Sequence, residues 1–124
     1  MILFNSLANF QNSSLTSHTS VDIDLCSRDI RDEQISQLTQ PLSQCLNLQI
    51  LNLFISHNCL REQGGSSLGS ALSNLVNLQK LTLQFNRNSI GDLTDQMIAT
   101  NLSGLTKLTT FTLKLMQSQF KFLK

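Results

Sequence analysis

The chain has 124 residues, of which 40% are hydrophobic and 14% charged, with a formal net charge of +1. That supplies apolar material for one domain but not the dense Lys/Arg footprint with which proteins displace counterions from nucleic acid. No run approaches the roughly twenty apolar residues of a membrane span, so neither nucleic acid nor a membrane is an expected partner.

The first twenty residues read as an irregular segment or as the remnant of a preceding repeat. Met1–Phe4 is apolar but too short, and lacks the basic start, for a secretion signal. Ser6-Leu7-Ala8-Asn9-Phe10 has the pattern of Ala71-Leu72-Ser73-Asn74-Leu75, a helix end, with about five residues too many before the next strand. Met1–Phe10 is therefore expected as a helix remnant or crude cap, and Gln11–Ser20 as a polar loop.

From Val21 onward the pattern returns every thirty residues. The units run 21–50, 51–80 and 81–110, followed by a truncated 111–124, about three and a half in all. Eight columns are apolar throughout. Early in the unit they are Val21/Leu51/Leu81/Phe111, Ile23/Leu53/Leu83/Leu113, Leu25/Ile55/Phe85/Leu115 and Ile30/Leu60/Ile90/Phe120. Later come Leu38/Leu68/Ile98, Leu42/Leu72/Leu102, Cys45/Leu75/Leu105 and Leu48/Leu78/Leu108.

Each unit carries two periodicities. Leu81-Thr82-Leu83-Gln84-Phe85 alternates, the signature of a strand with one buried face. Leu68, Leu72 and Leu75 are spaced four and three, one stripe of a helix. Strand then helix, repeated, gives a parallel sheet with helices outside it. A unit this small buries its apolar face only by stacking on neighbours. The expected strands are Val21–Leu25, Leu51–Ile55, Leu81–Phe85 and Phe111–Leu115, parallel and in that order.

Leu78-Gln79-Lys80-Leu81-Thr82-Leu83 followed by Asn88-Ser89-Ile90 resembles the core of a leucine-rich repeat, L-x-x-L-x-L then N-x-L. Gly64-Gly65-Ser66-Ser67-Leu68-Gly69-Ser70-Ala71-Leu72 resembles the helical half of the long, ribonuclease-inhibitor-like class. The resemblance extends from Val21 to about Phe120, with a unit slightly longer than is usual there. It implies an α/β leucine-rich-repeat solenoid, with a concave parallel sheet and helices on the convex side. It also implies a structural ladder made by Asn58 and Asn88, whose side chains bond backbone groups where the chain leaves the strand. Arg28 and Ser118 occupy the same column; arginine cannot accept a hydrogen bond, so the ladder is expected to stop at Arg28.

Asp32 and Asp92 precede the helices, as N-caps or first-turn acids do. Pro41 falls inside the first repeat helix, which should be short or kinked near Gln40. The Gly64 column holds Gln34 and Thr94 elsewhere, so helix-to-strand approach is expected to be looser in those units.

Nothing in the sequence assembles catalytic chemistry, a cofactor cradle or a metal site. His18 and His57 stand alone in a loop and a turn and read as surface residues. The three cysteines have no metal-like spacing; Cys45 reads as a core residue, Cys26 and Cys59 as surface or turn residues, and a cytoplasmic location fits them. Lys107, Lys114, Lys121 and Lys124 read as solvated surface. The informative residues lie on the other parity of the strands: Asp22 and Asp24, then Asn52, Phe54 and Ser56, then Thr82, Gln84 and Asn86, then Thr112, Lys114 and Met116. This face runs from acidic to basic. Phe54 is either a partner anchor or packs on its neighbours.

The expected function is a non-enzymatic protein-interaction module or scaffold, binding a protein partner through the concave face. The alternative is a regulatory repeat segment of a larger protein carrying a catalytic domain, such as a kinase. A repeat-based GTPase activator is a third reading without a supporting residue. The last unit reaches Lys124 without its helix, leaving Phe111, Leu113, Leu115, Phe120, Phe122 and Leu123 uncovered, so either a fragment of a longer array or association through the C-terminal end is expected.

Overall fold

The computed structural model of the chain describes residues 2–90 and 93–114. Expectations resting on Asp92, Leu115, Met116, Ser118, Phe120, Lys121, Phe122, Leu123 and Lys124 lie outside the described residues.

The described chain is α/β. Its strands are β1 (Ile2–Phe4), β2 (Ser20–Asp24), β3 (Ile50–Phe54), β4 (Lys80–Gln84) and β5 (Thr110–Lys114); its helices are α1 (Leu7–Gln11), α2 (Ser36–Ser43), α3 (Glu62–Leu72) and α4 (Leu93–Leu102). All five strands form one parallel sheet in chain order. From β2 onward every cross-strand partner is thirty residues away, as in Val21–Leu51–Leu81–Phe111. The strands begin and end one residue earlier than the apolar alternation indicated. Backbone pairing nevertheless continues past them: Leu25 N donates to Phe54 O, Ile55 N to Gln84 O and Phe85 N to Lys114 O.

Alternation does what a period of two requires. Val21, Ile23, Leu51, Leu53, Leu81 and Leu83 are buried on one face, and the residues between them are not. The buried row joins Leu38, Leu42, Leu68, Leu72, Ile98 and Leu102 from the helices in a single core. Consecutive helices pack on one another in the same order as the strands. Phe111, on the last described strand, departs from its column and is 38% exposed.

The N-terminal segment is more regular than its composition suggests. Ile2–Phe4 is a strand rather than part of a helix, and it pairs with β2 nineteen residues on, Ile2 opposite Val21. Leu7–Gln11 is the helix end that the Ser6–Phe10 pattern indicated; the Ser6 hydroxyl caps it by accepting from Asn9 N. The surplus residues form a 3-10 turn at Leu15–Ser17. They deliver His18 into the core, where it is 6% exposed, against its expectation as a surface residue. Its ring lies 5.4 Å from that of Phe4 and 6.3 Å from that of Phe10. Ser13 Oγ donates to Phe10 O at 2.6 Å, so at 2.9 Å from His18 Nε2 it is left to accept. A buried imidazole thus has its polar partner.

Helix α2 has eight residues and is short at its start, where Asp32–Gln34 form a 3-10 turn; it runs through Gln40 and the buried Pro41 to Ser43 rather than ending there. Proline has no N–H for the carbonyl four residues back, and here that carbonyl, Gln37 O, accepts from Gln11 Nε2 at 3.0 Å. The neighbouring helix supplies the missing donor.

Candidate protein-interaction face

Three rows of side chains cross the sheet on the side away from the helices. The middle row is Leu3, Asp22, Asn52, Thr82 and Thr112; the next is Asp24, Phe54, Gln84 and Lys114. All the strand residues expected on this face are therefore brought together. Asn86 follows β4 on the same parity and is half-buried; Ser56, at the same place after β3, is buried, against its expectation on the outward face. Asp22 and Asn52 are joined, with Asn52 Nδ2 donating to Asp22 Oδ1 at 2.7 Å. Asp24, Thr112 and Lys114 are exposed. Phe54 is half-buried, so part of its ring is covered and part stays accessible.

The third row, Ser20, Ile50, Lys80 and Thr110, escaped the sequence reading. Placing each strand start at its first buried residue omitted the outward residue just before it; carrying the alternation one position upstream finds it. Leu3, 61% exposed, was missed with its strand. The additions matter to charge: Lys80 joins Lys114 on the β4–β5 side, while Asp22 and Asp24 hold the β2 side.

The face is held level by what happens at the strand ends. Asn58 is 7% exposed and makes five bonds with its one amide. Its Oδ1 accepts from Arg28 N and Ile30 N, both at 3.0 Å. Its Nδ2 donates to Leu25 O at 2.9 Å, Ile55 O at 3.0 Å and Ser56 O at 3.3 Å. Asn88, 3% exposed, repeats this between the next two units, accepting from Leu60 N and donating to Ile55 O and Phe85 O. Only a side chain with adjacent donor and acceptor does both. Arg28, in the same column, is exposed and its side chain accepts nothing, as its chemistry requires. Its guanidinium Nη1 donates to Asn5 O, so the donor half continues and only the acceptor half is lost.

A second set of bonds lines the strand entrances and was also missed. Asn47 Nδ2 donates to Thr16 O and Asn77 Nδ2 to Leu46 O, while Lys107 Nζ donates to Asn77 Oδ1. The thirty-residue spacing of Asn47, Asn77 and Lys107 was the available signal.

Where the strands turn toward the helices, an open groove of about 900 Å³ is lined by residues of both charge signs, among them Arg31, Glu33, Arg61 and Glu62. Asp32 lies there as a first-turn acid of a 3-10 turn, but its carboxylate serves the next unit: Oδ1 accepts from Arg61 N at 2.8 Å, at the start of α3. His57 is exposed and, like Ser27 and Arg87 at the same place in their units, has a left-handed backbone, with φ of 60°, 58° and 63° respectively.

All three cysteines are free; Cys45 is buried and Cys59 exposed. Burial pushes the Cys45 thiol up to about 11. Burial also raises that of Cys26; the Ser56 backbone amide opposes this and the Asp24 carboxylate adds to it. Among the described residues no three His, Cys, Asp or Glu side chains gather as a metal site. No helix among them is long and apolar enough to cross a membrane. Compared with known proteins, the chain matches no family model, and no curated protein shows significant similarity to it.

Proposed function

We propose that the chain is a leucine-rich-repeat solenoid of the ribonuclease-inhibitor-like kind, whose outward sheet face binds a protein partner without catalysis. The observation that carries this reading is the face itself: adjacent parallel strands in thirty-residue register present short polar side chains around the half-buried ring of Phe54. Large, partly enclosed aromatics surrounded by polar residues supply binding energy out of proportion to their number. The repeated Asn58 and Asn88 bonds support the solenoid, because each ties a strand exit to the unit before it. Three free thiols fit a cytoplasmic location.

The test is capture of a partner by the whole chain, by Thr82→Arg on the outward face, and by Ser70→Arg on the exposed side of α3. Loss with Thr82→Arg alone is expected, together with weakening by more than about 1 kcal/mol in Phe54→Ala. Loss with Ser70→Arg alone would move the site to the helical side.

A further inference from the structure

Resting on the reading that the outward face binds protein, we infer the partner's chemistry and its orientation: a polypeptide segment lying across the strands, cationic over β2, apolar over β3 and anionic over β4 and β5. Three features of the face point the same way. The β2 side carries Asp22 and Asp24 and no cation on its outward positions, Ser20, Asp22 and Asp24. The β4–β5 side carries Lys80 and Lys114 and no anion on its outward positions. Between them β3 presents Ile50 and Phe54, both half-buried, on either side of Asn52.

Register gives the spacing. Adjacent strands lie about 4.8 Å apart, so β2 is about 10 Å from β4 and about 14 Å from β5. An extended chain advances about 3.3 Å per residue. A basic and an acidic side chain about four positions apart, with an apolar one between them and nearer the basic one, match Asp24, Phe54 and Lys114 along one row. A segment with two like charges places one of them against its own sign, and like-charge contacts at an interface are strongly selected against. Asp24, Lys80 and Lys114 are all exposed, so reversing their charge leaves the core untouched.

The probes are three blocked nine-residue peptides of the form Gly-Gly-X-Ala-Leu-Ala-Z-Gly-Gly, with X and Z as Arg and Glu, Arg and Arg, or Glu and Glu. They are titrated by NMR against the whole chain at low salt. The Arg/Glu peptide is expected to bind at least fivefold tighter than either other. Asp24→Lys should transfer the preference to the Glu/Glu peptide, giving up only the exposed bond from Cys26 N to Asp24 Oδ1, and Lys80→Glu with Lys114→Glu should transfer it to the Arg/Arg peptide, with every variant keeping its fold by circular dichroism. Equal binding of the three, preferences unmoved by the reversals, or no binding at millimolar peptide overturns the inference. So does sedimentation showing a dimer that the same reversals abolish, which assigns the face to a second copy. A partner captured by the chain and lost in Thr82→Arg, yet indifferent to the reversals, sinks the charge pattern and leaves the face as a binding site.

Discussion

The carboxylate of Asp32 occupies the place where a side chain on Gly64 would begin: a Cβ built on Gly64 comes within 2.3 Å of Asp32 Oδ1. The two residues belong to successive units. The absence of a side chain at Gly64 is what lets Asp32 reach Arg61 N and cap the start of α3.

That relationship predicts a coupling. Gly64→Ala displaces the carboxylate and loses a cap worth about 1 kcal/mol, offset by the roughly 1 kcal/mol that alanine gains over glycine within a helix. In an Asp32→Ala background only the gain remains. Denaturation of the two single variants and the double variant should give an interaction energy of about 1 kcal/mol or more. Strict additivity would show that Asp32 does not cap α3.

Asn88→Ala should destabilise by roughly 1–3 kcal/mol, since it takes their side-chain partner from buried backbone groups at Leu60 and Phe85 and leaves Ile55 O with Asn58 alone. Asn58→Ala should cost at least as much, having more bonds to lose. Gln79→Ala, at an exposed position, is the control and should be nearly silent. Equal melting temperatures for Asn88→Ala and Gln79→Ala would remove the ladder.

Ser56 is 6% exposed, and among the described residues its hydroxyl has no hydrogen-bond partner beyond the weakly bonding Cys26 thiol beside it. Ser56→Ala is expected to be neutral or to stabilise by up to about 1 kcal/mol, because it removes an uncompensated desolvation cost. A loss of 1 kcal/mol or more in urea unfolding would mean that the hydroxyl is bonded in solution.

His57→Gly and Arg87→Gly relieve left-handed backbone at exposed turn positions. The strain is about 1–2 kcal/mol for a residue with a side chain, and glycine's extra unfolded-state entropy takes back about 0.5–1. A net gain of a few tenths to 1 kcal/mol should appear as a raised melting temperature. A clear drop for both variants would show that the side chains there do structural work.

Thiol alkylation at pH 8 should modify Cys59 first, Cys26 more slowly and Cys45 only on unfolding, as mass spectrometry of the folded and denatured chain can establish. The Cys45 thiol is raised from 9.0 to about 11, so burial favours its protonated form. Its contribution to stability is complete below about pH 9 and declines as pH rises toward 11. Cys45→Ser should flatten that decline.

The sequence alone determined the strand–helix alternation, the parallel order of β2 to β5, the apolar columns and the two ladder asparagines. These rest on periods of two and of three to four that are local, and the thirty-residue repeat gives each column the same surroundings in every unit. Stacking decided the rest. Ile2–Phe4 is a strand because β2 offers it an edge, not because three apolar residues require one. His18 is buried because Phe4 and Phe10 from different elements close around it. Arg28 turns its donors toward Asn5, and Asp32 fills the space over Gly64 in the following unit. On the outward face, Lys80 comes between Ile50 and Thr110 through cross-strand register. Each of these depends on a partner from another element, eight to thirty or so residues away, and such contacts are set by how the elements pack.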